Sequence, residues 1–116
     1  MQMMLKNPQK GKKLSRVIVK KQIITKEWVD KSFTRQKKIA GRNNEYYGYL
    51  FWNKNFQVGS KLYEAFYCAG NGGNYILVFK ELPLVIVITA TAYGQPYAHP
   101  QVTKMISEYI LPAVVN

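Results

Sequence analysis

The sequence is short of the residues that most chemistry needs. One cysteine in 116 residues, Cys68, rules out an internal disulfide framework and a cysteine-based zinc site. One histidine, His99, leaves metal ligation without the residue number or spacing it requires. No Ser-x-x-Lys pair exists: three residues after Ser15, Ser32, Ser60 and Ser107 stand Ile18, Arg35, Tyr63 and Ile110. A serine activated by a lysine on the same helix face is therefore excluded within this chain. Tyr-x-Asn and Ser-x-Asn are absent as well. No apolar run approaches the roughly 18 residues of a membrane helix, because Leu82 to Ala92 is short and broken by Pro83. The opening residues, MQMMLKNPQKGKK, lack the apolar core and small-residue cleavage site of a signal peptide. Acidic residues are scarce too, six against 17 Lys and Arg, for a net charge of +11.

What is present suits one globular domain over residues 1–116. A hydrophobic fraction of 47% with 14% aromatics excludes a disordered polyelectrolyte. The charge is lopsided: thirteen of the seventeen cations precede Tyr46, opposed there only by Glu27, Asp30 and Glu45. A basic half invites a nucleic-acid or other anionic partner. Stacking platforms, however, need cations and aromatics on one surface, and here the aromatics lie mainly in the neutral half. That separation counts against nucleic acid and favours a solvated lysine-rich surface. A stand-alone basic module for an anionic partner remains the alternative.

Along the chain, MQMML (1–5) reads as the last turn of a helix, stopped by Lys6-Asn7-Pro8, as if the chain began inside a larger fold. Val17 to Val19 reads as a short strand. Thr25 is a helix N-cap, with Ile24 and Val29 placed for a hydrophobic staple. Trp28, Val29, Ser32 and Phe33 make one face of a helix over 26–33. A polar loop covers 34–45. From Tyr46 the texture is β, with strands over 46–54, 61–69, 74–80 and 84–92 and a turn near Gly59. The last strand is apolar on both faces, as in mid-sheet. Leu84, Ile86 and Ile88 belong on one face, Val85 and Val87 on the other. Pro100 opens a closing helix whose stripe is Val102, Met105, Ile106, Tyr109 and Ile110, and Pro112 ends it. The fold class is α+β: an antiparallel sheet of about four strands carrying an N-terminal and a C-terminal helix.

The glycine run in YCAGNGGNYILVF (67–79) asks what needs the room. It is not a phosphate cradle, since it leads into a strand and no Gly-Lys-[Ser/Thr] follows. Asn71-Gly72 is a strong hairpin dipeptide joining strands 61–69 and 74–80. Cys68 and His99 are the only conceivable nucleophile–base pair, on different elements and without an orienting third group.

Taken in order, YYGYLFWNK, AGNGGNYI with LPLVIVIT, and the terminal YILPAV resemble the C-terminal part of the serine β-lactamase-like hydrolases. That superfamily holds class C β-lactamases, D-alanyl-D-alanine carboxypeptidases and related esterases. IITKEWVDKSF is similar to the family's helix just before this region. The resemblance implies that Cys68-Ala69-Gly70 matches the Lys-Thr-Gly or His-x-Gly strand at the active-site edge, which pairs with the substrate's acyl backbone. Cys68 stands where Lys or His is usual. Cys68, Ala69, Gly70, Asn71, Gly72 and Gly73 are thus the substrate-binding stretch by resemblance, and no catalytic residue, metal or other cofactor is implied within the chain. The family's nucleophile and base lie N-terminal to the matched region, so the chain alone is expected to be inactive and to partner the N-terminal catalytic half. Family members are commonly bacterial periplasmic, secreted or membrane-anchored. A sheet deprived of its other half leaves an apolar face and a strand edge bare, so self-association is expected, without a membrane span.

Overall fold

The computed structural model describes the backbone of Gln2–Lys6 and all of residues 21–116. The described residues are α+β, built on one antiparallel sheet of seven strands in the order β1-β7-β6-β5-β4-β3-β2. The strands are β1 (Gln2–Lys6), β2 (Lys37–Lys38), β3 (Tyr46–Gly48), β4 (Phe51–Val58), β5 (Lys61–Gly70), β6 (Asn74–Phe79) and β7 (Leu84–Thr89). Helix α1 (Lys26–Ser32) precedes the sheet's second strand. Helix α2 (Ala98–Met105), a π-helical turn (Ile106–Ile110) and α3 (Leu111–Val115) close the chain as one rod.

The strands expected over 61–69, 74–80 and 84–92 are β5, β6 and β7, the last ending at Thr89. With β4 they are the long strands, each hydrogen-bonded to its sequence neighbour, in a sheet of seven described strands rather than about four. Alternation sorts their side chains. Phe56, Tyr63, Ala65, Tyr67, Tyr75, Leu77, Phe79, Leu84, Ile86 and Ile88 line one face, and Val102, Ile106, Ile110 and Leu111 of the C-terminal rod cover them. Each fully buried aliphatic side chain there contributes about 1.5–3 kcal/mol. On the opposite face Phe33, just past α1, packs its ring against Phe51 at 4.9 Å and Phe66 at 5.6 Å. The remainder of that face keeps Ile76 half-exposed beside the partly buried Val78, Val85 and Val87.

Helix α1 begins where its cap predicts: the Thr25 Oγ1 accepts the Trp28 N–H at 3.2 Å, and the first turn carries Glu27. Other expectations need correction. Residues 2–6 are not a helix end but an edge strand, with Met4 opposite Val87. Val17 to Val19 lies outside the described residues. The loop 34–45 contains β2. The run 46–54 is two strands, because Tyr49 (φ 49°) and Leu50 (φ 68°) form a two-residue turn between β3 and β4. Bulky residues resist that conformation, and Tyr49 is anchored by the Trp28 ring at 5.3 Å and by the Lys31 ammonium above it. The turn at Gly59 (φ 61°) with Ser60 is a plain two-residue hairpin.

The C-terminal rod departs from the α period. Val102 and Ile106 are buried four apart, but the next buried pair is Ile110 and Leu111, while Tyr109 is 65% exposed. Pro112 supplies the reason. A proline inside a helix collides with the carbonyl four residues back and cannot donate to it. The π turn just before it bonds the Leu111 N–H to the Ile106 carbonyl, five residues back, and widens the helix there. The rod therefore runs through Pro112 to Val115 rather than ending at it.

Candidate functional site

Strand β5 is longer than its neighbour β4. The ladder between them ends at Trp52 opposite Tyr67, whereas β5 continues against β6 to Gly70 opposite Asn74. In a two-residue hairpin the closing pair, Val58 and Lys61, exchanges both backbone hydrogen bonds. The odd residues of β5 therefore turn their N–H and C=O toward β4. Ala69 is the odd residue past the ladder's end. Its backbone donor and acceptor face outward, with no strand beside them among the described residues. So β5, internal along most of its length, is a free edge only at this overhang.

The overhang lines a cavity of about 460 Å³ whose walls are Arg42, Trp52, Tyr67, Ala69, Gly70, Asn71 and His99. That volume is within the range of small-ligand sites. The Arg42 guanidinium lies 5.7 Å from the Trp52 ring and pairs with Glu45 at 3.1 Å. Tyr67 and the equally buried Tyr75 stack at 5.6 Å. The Tyr75 hydroxyl sits 2.7 Å from His99 Nδ1. Burial, with the Glu45 carboxylate as a second cause, pushes both phenols above the ordinary tyrosine range. The contact between the Tyr75 hydroxyl and Nδ1 orients the imidazole, and the ring's tautomer decides which of the two donates. Behind Tyr67, the Lys54 ammonium rests 5.4 Å from that ring and donates to Thr103 Oγ1 at 3.2 Å. Burial pulls its pKa below the usual lysine value.

The six residues singled out by resemblance separate into three groups. Ala69, Gly70 and Asn71 line the cavity. Cys68 lies on the other face, its Sγ toward the Leu50 carbonyl at 3.8 Å, and burial raises its thiol pKa. A thiolate nucleophile needs the reverse, and the intended base, His99, is across the sheet. Gly72 and Gly73 are buried and serve packing. Their φ angles are +88° and +89°, and a Cβ would meet the Tyr93 ring at 2.8 Å or the Ala98 carbonyl at 3.2 Å respectively. The connection is a three-residue turn, Asn71 to Gly73, not the two-residue Asn71-Gly72. It is pinned by Asn71, whose carbonyl accepts from the Asn74 amide at 2.7 Å and whose Oδ1 accepts from the Gly94 N–H at 3.2 Å.

Sequence reading missed Arg42, Trp52, Tyr67 and His99 as site residues. His99 was weighed only as a base for Cys68, and its place beside Pro100 in the first turn of α2 carries it to this cavity instead. Among the described residues no serine lines the cavity: Ser32 Oγ is spent on the Trp28 carbonyl at 2.8 Å, Ser60 is in a hairpin turn and Ser107 in the π turn. Among the described residues no cluster of three His, Cys, Asp or Glu forms, and no helix is long and apolar enough to cross a membrane. Comparison with protein-family models, curated proteins and solved structures returns no match. Among the described residues the cavity wall presents a guanidinium, an imidazole, two aromatic rings and one strand edge.

Proposed function

We propose that the chain is the sheet-bearing part of a serine β-lactamase-like acyl-transfer fold. It aligns substrate, and hydrolysis needs a second segment bearing Ser-x-x-Lys. The carrying observation is the β5 overhang: Ala69 holds an N–H and a C=O toward a cavity flanked by Arg42 and His99. An acylated peptide laid along it gains the main-chain pairing of an added strand, while Arg42 is placed to draw in an anionic group.

The test is a titration of N-acetyl-D-alanyl-D-alanine into the ¹⁵N-labelled chain. Shifts are expected at the Ala69, Gly70 and Asn71 amides and the Trp52 indole, weakened by Arg42→Ala. An unmoved Ala69 amide at saturating peptide refutes the alignment role. A chromogenic β-lactam and a p-nitrophenyl ester are expected to show background turnover only, and turnover that survives Cys68→Ala contradicts the division of labour.

A further inference from the structure

On the side of Trp52 away from this cavity the sheet brings together what the sequence kept apart. Pairing sets Lys37 opposite Tyr47, and Tyr47 opposite Trp52. Residues directly opposite share a face, so the three side chains form a row across β2, β3 and β4. The Tyr47 and Trp52 rings are 4.5 Å apart at their centroids, and Tyr47 is 37% exposed. Lys37, Lys38, Tyr47 and Trp52, with Ile39 and Ala40, line a groove of about 370 Å³. Both lysines are exposed, and neither has a carboxylate partner among the described residues.

We infer that this groove is a binding platform for single-stranded nucleic acid. An exposed ring on a sheet face stacks an unpaired base, as sheet-borne aromatics do in single-strand readers. The Lys37 ammonium, in the row beside the rings, holds phosphate, and the net charge of +11 supplies the long-range attraction. An acidic peptide fits worse, having no flat ring to place on Tyr47. A duplex hides its bases and offers phosphates alone. The groove shares Trp52 with the Ala69 cavity, but the residues its test removes, Lys37, Lys38 and Tyr47, do not line that cavity, so failure of the acyl-transfer proposal leaves it standing.

Fluorescence anisotropy with a labelled oligothymidylate on the order of ten nucleotides, at low and at physiological salt, tests it on the full chain. Tyr47→Ala is expected to weaken binding about tenfold, and Tyr47→Phe to bind like the parent. Lys37→Ala/Lys38→Ala, at exposed edge positions, is expected to lower the salt slope by about one to two; that variant decides the matter should Tyr47→Ala unsettle the hairpin. Undiminished binding by Tyr47→Ala with an unchanged slope for the double variant overturns the inference. So does equal affinity for a duplex of the same length, or full competition by anionic phospholipid vesicles.

Discussion

Alanine at Gly73 is expected to be the most damaging of three single-methyl additions to one strand end. Gly70, Gly72 and Gly73 differ in backbone angle and in what a Cβ would touch. At Gly73, φ is +89°, a left-handed conformation costing an L-residue about 1–2 kcal/mol. The new methyl would lie 3.2 Å from the Ala98 carbonyl and 3.4 Å from Val102 Cγ2. Both neighbours belong to buried positions of α2, so the helix must lift, an overpacking cost of about 1–3 kcal/mol. Less the roughly 0.4–1 kcal/mol gained by stiffening the unfolded chain, Gly73→Ala loses about 2–4 kcal/mol. Gly72→Ala carries the same angle cost, φ +88°, but meets the Tyr93 ring, which is 60% exposed and can swing into solvent. Its net loss is about 0.5–1.5 kcal/mol. Gly70 has no positive φ, and its nearest atom would be Asn74 Cβ at an ordinary 3.7 Å. Gly70→Ala is therefore neutral or slightly stabilising. Urea unfolding followed by tryptophan fluorescence ranks the three against a total stability of about 5–15 kcal/mol. Gly73→Ala melting with Gly70→Ala refutes the reasoning, for it means that α2 does not seat on this turn.

Two more outcomes follow from burial. Tyr67 and Tyr75 hold their protons to higher pH folded than unfolded, so above the ordinary phenol range the unfolded chain binds fewer protons and stability falls as pH rises. Tyr67→Phe is expected to flatten that alkaline limb in urea midpoints measured from neutral pH to pH about 11, and an unaltered limb rejects the assignment. The contiguous patch of Ile76, Val78, Val85 and Val87 on the sheet face beyond α1 predicts self-association, which Ile76→Lys shifts toward monomer in size-exclusion chromatography with light scattering. A parent chain that stays at 13.4 kDa throughout a wide dilution series contradicts it.

The central strands were legible because their physics is local. Leu84, Ile86 and Ile88 alternate with Val85 and Val87, and the Thr25 cap sits three residues before the N–H that it satisfies. Residues 2–6 were misread because five apolar-rich residues carry no period, and only β7 makes them a strand. The Tyr49-Leu50 turn was hidden by residue types that avoid positive φ and tolerate it only with Trp28 and Lys31 on the ring. Pro112 misled by the usual rule that proline stops a helix; the side-by-side burial of Ile110 and Leu111 marks the extra residue. Of the site, the strand end Ala69 to Asn71 was visible in the glycine run. Arg42, Trp52 and His99 reach it from a loop, a hairpin and a helix start, and no spacing rule joins those.

The order of strands also governs the order of assembly. From β2 to β7 every pairing joins strands adjacent in the chain, so the sheet can zip hairpin by hairpin, closing only short loops at each step. Strand β1 is the exception, with Gln2 opposite Thr89. During synthesis it leaves the ribosome before the other six described strands, yet its partner, β7, emerges after them. Strand β1 must therefore wait through the folding of the β2–β7 meander before the edge it occupies exists.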